Sequence, residues 1–125
     1  MTESRSTLGG SLTTHVLDTM SGRPAAGVAI ELFRVEDARR RHLVSTTTNA
    51  DGRCDAPLLD GDRLTAGVYE LVFDVARYFI QAGVRLPERP FLDRVPIRFG
   101  IAAADQHHHV PLLISPCGYT TYRGS

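Results

Sequence analysis

Residues 28–48 read VAIELFRVEDARRRHLVSTTT. Val28, Ile30 and Leu32 fall on one side of a period of two, with Glu31 on the other, which is the mark of a half-buried β-strand. The second half, His42 to Thr48, is dense in β-branched residues and reads as a return strand. The run between them, Glu36-Asp37-Ala38-Arg39-Arg40-Arg41, is charged but mixed in sign. It is expected to be a solvated hairpin connection, because the adjacent acids nearly cancel the arginines and leave no nucleic-acid patch.

The same signals repeat outward from this hairpin. Upstream, the glycines and proline of residues 21–27 mark a loop. Before it, Leu12 to Asp18 is a predicted strand with Leu12, Thr14 and Val16 on one face and Thr13, His15 and Leu17 on the other. Downstream, Asn49-Ala50-Asp51-Gly52 is a turn whose Asp-Gly pair suits positive φ, and Arg53 leaves it directly. Val68 to Asp74 is another predicted strand. Val75 to Gln81 fits about two turns of helix stopped by Gly83. Val95 to Ile101 alternates again, and Pro96 near its start argues for an edge strand or a position at the strand's first residue. The last strand begins in the histidine run at residue 107. Seven to eight short strands with one short helix predict an all-β, antiparallel β-sandwich. Residues 1–11 are expected to form a flexible arm, and residues 12–125 a single domain. Free sheet edges make oligomerisation a reasonable expectation.

Composition narrows the function. A chain of 125 residues with 42% hydrophobic content is long enough to bury a core without metal or disulfide staples. Fourteen arginines balance fourteen acids and there is no lysine, so no net field draws in nucleic acid or an anionic membrane. The absence of lysine also removes Schiff-base chemistry. Cys54 and Cys117 lie in no metal-binding spacing and are expected to be reduced, partly buried thiols, consistent with a cytoplasmic protein. The first residues hold no apolar run that reads as a signal peptide or membrane span.

The chemistry-bearing residues are few. On a strand, His107 and His109 share one face, roughly 6–7 Å apart, and His108 takes the other. Such a pair suits acid–base work, or metal binding if a further ligand such as His15 joins it. Taken alone, the pair reads first as two surface histidines on a half-exposed strand. His15 by itself reads as a strand histidine satisfied by backbone or water, and Arg53 by itself as a surface cation. Brought together, they supply imidazoles that a neighbouring guanidinium keeps neutral and a fixed cation for a developing oxyanion. That combination activates water against a carbonyl. Cys117 and Ser125 qualify as nucleophiles only beside a base.

The ending HHHVPLLISPCGYTTYRGS (residues 107–125) resembles the C-terminal signature of the 5-hydroxyisourate hydrolases, the transthyretin-related proteins of purine catabolism. Residues 12–18, LTTHVLD, with GRPA at 22–25, resemble the family's N-terminal signature, and TNADGR at 48–53 its middle motif. The Tyr122-Arg123-Gly124-Ser125 end is the feature that separates these hydrolases from transthyretin proper. The sequence departs from the family at His108, where an aromatic is usual, and at Cys117.

The resemblance implies a transthyretin-like sandwich of two four-stranded sheets with its helix near residues 75–81. It implies a homotetramer, a dimer of dimers, with active sites at the dimer–dimer interface. The implied reaction is cofactor-free hydrolysis of a ring amide of 5-hydroxyisourate, giving 2-oxo-4-hydroxy-4-carboxy-5-ureidoimidazoline in urate degradation. The implied catalytic residues are His15, Arg53, His107, His109 and Ser125. Arg53, Tyr122, Arg123 and Gly124 are implied to bind substrate, with no metal. Two other classes stay open: a transthyretin-like carrier of a small ligand without catalysis, and a histidine-based metal-binding protein.

Overall fold

The computed structural model describes residues 9–125. Two sheets face each other. In chain order the strands are β1 (Ser11–Asp18), β2 (Arg23–Pro24), β3 (Ala29–Glu36), β4 (Arg39–Thr47), β5 (Leu59–Asp60), β6 (Gly67–Asp74), β7 (Arg94–Ile101), β8 (His107–Ser115) and β9 (Gly118–Thr121). One helix, α1 (Val75–Gln81), follows β6. The first sheet runs β2-β1-β8-β9 with β5 also against β1, and the second runs β4-β3-β6-β7. Most of the expected arm lies outside the described residues. Its last residue, Ser11, opens β1, and the Gly10 N–H donates to the Ala104 carbonyl at 3.0 Å.

The period-two pattern decides what is buried. Leu12 and Val16 from β1, Ile30 and Leu32 from β3, Tyr69, Leu71 and Phe73 from β6, and Leu112 and Ile114 from β8 meet in the space between the sheets. Each buried Leu, Ile or Phe side chain contributes roughly 1.5–3 kcal/mol relative to exposure. Helix α1 adds Val75, Ala76 and Phe79 to this core. Asp74 caps it by accepting from the Arg77 N–H, and Gly83 ends it at φ 91°, as glycine does at a helix C-terminus. The Tyr78 hydroxyl donates to buried Asp18 at 2.8 Å and ties α1 to β1. Burial, then that hydrogen bond, pushes the phenol up to about 12.

Three features differ in detail from the sequence reading. The charged hairpin contracts to Asp37 and Ala38, with Asp37 at φ 56°. Arg39 to Arg41 belong to β4, pairing with Glu36, Val35 and Arg34 of β3, and two of their side chains find partners across the strands: Arg40 lies 4.1 Å over the Phe33 ring and Arg41 reaches Glu36 at 3.5 Å. Cys117 sits exposed on the tip of the β8–β9 hairpin rather than partly buried, while Cys54 is half-buried. Finally, the ladder between β1 and β8 is parallel, pairing Ser11 with His107 through to Asp18 with Ile114; the other paired strands are antiparallel. Pro96 lies on β7, an edge strand, where its missing N–H interrupts no interior ladder.

Candidate active site

Parallel pairing of β1 with β8 assembles the site. Alternation points Leu12, Thr14 and Val16 into the core, so Ser11, Thr13 and His15 emerge on the outer face of the first sheet. On β8 the same rule buries His108 and turns His107 and His109 outward. Register then sets Ser11 beside His107 and Thr13 beside His109. The three outward imidazoles form a row, with ring centres 6.2 Å apart from His107 to His109 and 6.4 Å from His109 to His15. The planes of the first pair differ by 13°. Hydroxyls thread the row. The Thr13 hydroxyl lies 2.8 Å from His109 Nδ1 and 3.4 Å from His107 Nε2, and Ser11 Oγ is hydrogen-bonded to His107 Nδ1. His108 faces inward as its position requires, its Nε2 2.8 Å from the Ala103 carbonyl.

Arg53 is brought to this row by a turn that only glycine can complete. Gly52 adopts φ 74°, and a Cβ there would stand 2.4 Å from the Val16 carbonyl. With no Cβ, the turn lies flat on β1. The Val16 N–H donates to the Gly52 carbonyl at 2.8 Å, and Arg53 bridges to His15. Asn49 braces the turn by accepting from Asp51 and Arg53 N–H groups through Oδ1. The guanidinium therefore leaves a rigid platform next to the imidazoles.

The chain's own end closes the opposite side. The Gly124 N–H donates to the His109 carbonyl at 2.8 Å. A Cβ on Gly124 would lie 2.6 Å from His109 Cδ2, so the tail rests directly on the imidazole. Between tail and turn lies a cleft of about 500 Å³, onto which Arg53, His107, His109, Tyr122, Gly124 and Ser125 all open. His15 stacks behind His109 without lining this cleft. Arg123 does not join them: its guanidinium donates to Gln106 Oε1 at 3.3 Å, and the residue borders a separate small cavity with Phe99 and His108. Thr13, Cys54 and Asp55 also line the cleft, beyond the residues expected there from sequence. For Thr13 the signal was present, since it alternates with His15; the strand it would pair with was not legible.

The electrostatics follow from this packing. Partial burial lowers the His15 pKa, and the Arg53 charge lowers it further. His109 is lowered by burial first, then by Arg53, His107 and His15. Both imidazoles are thus held as free bases at neutral pH. The Cys54 thiol is pushed up, chiefly by burial and against a hydrogen bond from Thr46, which leaves it protonated and poorly nucleophilic. Among the described residues no group of three or more His, Cys, Asp or Glu side chains is arranged to hold a metal ion. No described helix is long and apolar enough to cross a membrane. Neutral imidazoles and a fixed cation at one cleft together can deprotonate water and stabilise an oxyanion.

A family model described as HIUase/Transthyretin family matches residues 12–124. The chain is 59% identical over 125 residues to the 5-hydroxyisourate hydrolase of Mesorhizobium japonicum, with full coverage of both. The structure of the Klebsiella pneumoniae 5-hydroxyisourate hydrolase superposes with a TM-score of 0.77 at 37% identity, covering 93% of this chain and 99% of that one. That of an (S)-allantoin synthase superposes at 0.89 with 44% identity over 96% of this chain, which spans only 45% of the synthase.

Proposed function

The chain belongs to the HIUase/Transthyretin family, and on that premise we propose that it is a hydrolase opening a ring amide of 5-hydroxyisourate by attack of an activated water. The observation that carries this reading is the pair of imidazoles, His15 and His109, held neutral beside the Arg53 guanidinium, with His109 and Arg53 opening onto one cleft. In the proposed mechanism His109, backed by His15, orders a water and takes its proton. The resulting hydroxide attacks the ring carbonyl. Arg53 binds the urate-like oxygens and offsets the negative charge of the tetrahedral intermediate. His107 positions the substrate or passes the proton on, and the leaving nitrogen is protonated as the C–N bond breaks. Tyr122, Gly124 and the Ser125 hydroxyl wall the substrate in. Arg123 acts at one remove, by holding the tail through Gln106. None of these steps calls on a metal or cofactor.

The proposed assembly is a homotetramer, a dimer of dimers with the cleft at the dimer–dimer interface. Two features support it. The cleft opens on the outer face of a sheet, and the edge strand β9 and the segment after it leave Tyr119 and Tyr122 exposed at 44% and 57%. Light scattering would then give four times 13.7 kDa. Two free thiols suit the cytoplasm, where disulfides are rare. The reading as a small-ligand carrier fits less well, because carriers of apolar ligands favour apolar walls and this cleft presents imidazole, guanidinium and hydroxyl groups.

The test generates 5-hydroxyisourate with urate oxidase, adds the protein, and follows ultraviolet absorbance. Decay well above the spontaneous rate, unchanged by a chelator, is the expected result. Decay at the spontaneous rate refutes the hydrolase reading, and loss of activity with chelator refutes the metal-free mechanism.

A further inference from the structure

We propose that Thr13 is a positioning residue whose hydroxyl joins His109 and His107 into a proton relay that opens to solvent at Ser11. The proposal deepens the hydrolase reading and rests on it. The geometry is a continuous chain: Ser11 Oγ to His107 Nδ1, His107 Nε2 to Thr13 Oγ1 at 3.4 Å, and Thr13 Oγ1 to His109 Nδ1 at 2.8 Å. Its members alternate between two strands that are adjacent only because β1 pairs in parallel with β8. A hydroxyl both donates and accepts, so it can hand a proton between two imidazoles, and an apolar group of the same shape cannot.

The site has a physical need for such a route. In many hydrolytic sites a carboxylate on the far nitrogen stabilises the imidazolium formed when histidine takes a proton. The far nitrogen of His109 faces the neutral Thr13 hydroxyl instead. The nearby Arg53 charge, with His107 and His15, disfavours a second cation on that ring. Moving the proton away removes the conflict.

The transfers balance. His109 Nε2 takes a proton from the attacking water while Nδ1 releases its own to Thr13 Oγ1. The Thr13 proton passes to His107 Nε2, and the His107 Nδ1 proton passes to half-buried Ser11 Oγ as that hydroxyl gives its own proton to solvent water. One unit of positive charge has then left the cleft. The reverse sequence returns a proton to His109 Nδ1 as Nε2 gives its own to the leaving nitrogen. The 3.4 Å segment is the weak link, and such contacts commonly tighten once substrate is bound.

Two measurements on the full-length protein test this, each with Thr13→Val and Thr13→Ser. The first is ¹⁵N NMR of the imidazole nitrogens, which reports tautomers without substrate. Wild type and Thr13→Ser are expected to share coupled His107 and His109 signals, and Thr13→Val to lose the coupling. The second is turnover with a proton inventory in mixed H₂O/D₂O. Thr13→Val is expected to lower kcat at least about 10-fold with KM little changed, and to turn a curved inventory linear, with Thr13→Ser restoring both. A role confined to packing would leave the inventory curved. Unaltered imidazole signals in Thr13→Val, or an unaltered inventory, would overturn the relay. If wild type fails to hydrolyse 5-hydroxyisourate, the substrate assignment falls, and the NMR arm alone decides whether the hydroxyl couples the rings.

Discussion

Gly124→Ala is the sharpest perturbation available, because it adds one methyl group at the point where the tail meets a reacting ring. That methyl would sit 2.6 Å from His109 Cδ2 and 3.3 Å from His109 Cβ and Cγ. Carbon atoms pack best at about 3.5–4.0 Å, so the shortfall at Cδ2 is about 0.9 Å. The ring is gripped on its other side, where Nδ1 lies 2.8 Å from Thr13 Oγ1. It can give way only by swinging Nε2, the atom bonded to Cδ2, out of line. If the tail lifts instead, the Gly124 N–H loses its 2.8 Å bond to the His109 carbonyl, a loss of about 1 kcal/mol, and the cleft wall carrying Ser125 moves with it. A displacement near 1 Å at a reacting group costs on the order of 10²-fold in rate. The expected result is kcat/KM down about 100-fold on freshly generated 5-hydroxyisourate. The melting temperature should fall by only a few degrees, because the tail lies outside the core. Turnover within about 3-fold of wild type would refute the idea that the tail sets the His109 ring. A collapse of the melting temperature would refute the idea that the tail is separable from the fold.

Further outcomes follow from the same geometry. His15 and His109 have pKa values below their ordinary 6.5, so the acid limb of the kcat/KM profile should have its midpoint below 6.5. Arg53→Gln should move that limb upward, toward but not beyond the ordinary value, while lowering kcat about 10²–10³-fold through loss of oxyanion stabilisation. Because the unfolded chain protonates these two histidines first, stability should decline as pH falls through 6.5 toward the lower folded values and level off beneath them; urea midpoints across pH 4–8 would show it. Gly52→Ala forces a side chain into φ 74° and into 2.4 Å contact with the Val16 carbonyl. It should cost about 2 kcal/mol or more and displace Arg53, read as a lower urea midpoint with reduced kcat. Appending a few residues after Ser125 should cripple turnover while leaving the circular dichroism spectrum unchanged, since the chain end lines the cleft.

How far the sequence alone reaches can be judged residue by residue. The grouping of Leu12, Thr14 and Val16 on one face of a strand and of Thr13, His15 and Leu17 on the other was legible because side-chain alternation is a property of covalent strand geometry and needs no partner; which face turns inward was decided by the packing of the sheets. The helix at residues 75–81 was legible for a similar reason, since its terminating Gly83 is a local signal; the Asp74 cap emerged only from the structure. Arg39 to Arg41 were misplaced because the contacts that hold them in β4, with Phe33 and Glu36, lie across a strand pair whose register charge patterning does not reveal.

The candidate site divides along the same line. His15, Arg53, His107, His109 and the Tyr122-Arg123-Gly124-Ser125 end could be named from motifs, and so could the face on which each imidazole stands. Their convergence could not be read from any one stretch, because it depends on β1 and β8 lying side by side and parallel. That pairing joins residues 96 positions apart, Ser11 to His107 and Thr13 to His109. Burial of both inner faces in one core selects it, and no local propensity encodes it. The tertiary structure also decided that Arg123 turns away to Gln106 while Gly124 presses on His109. Local sequence settles which way a side chain points; only the packing of the two sheets settles what it meets.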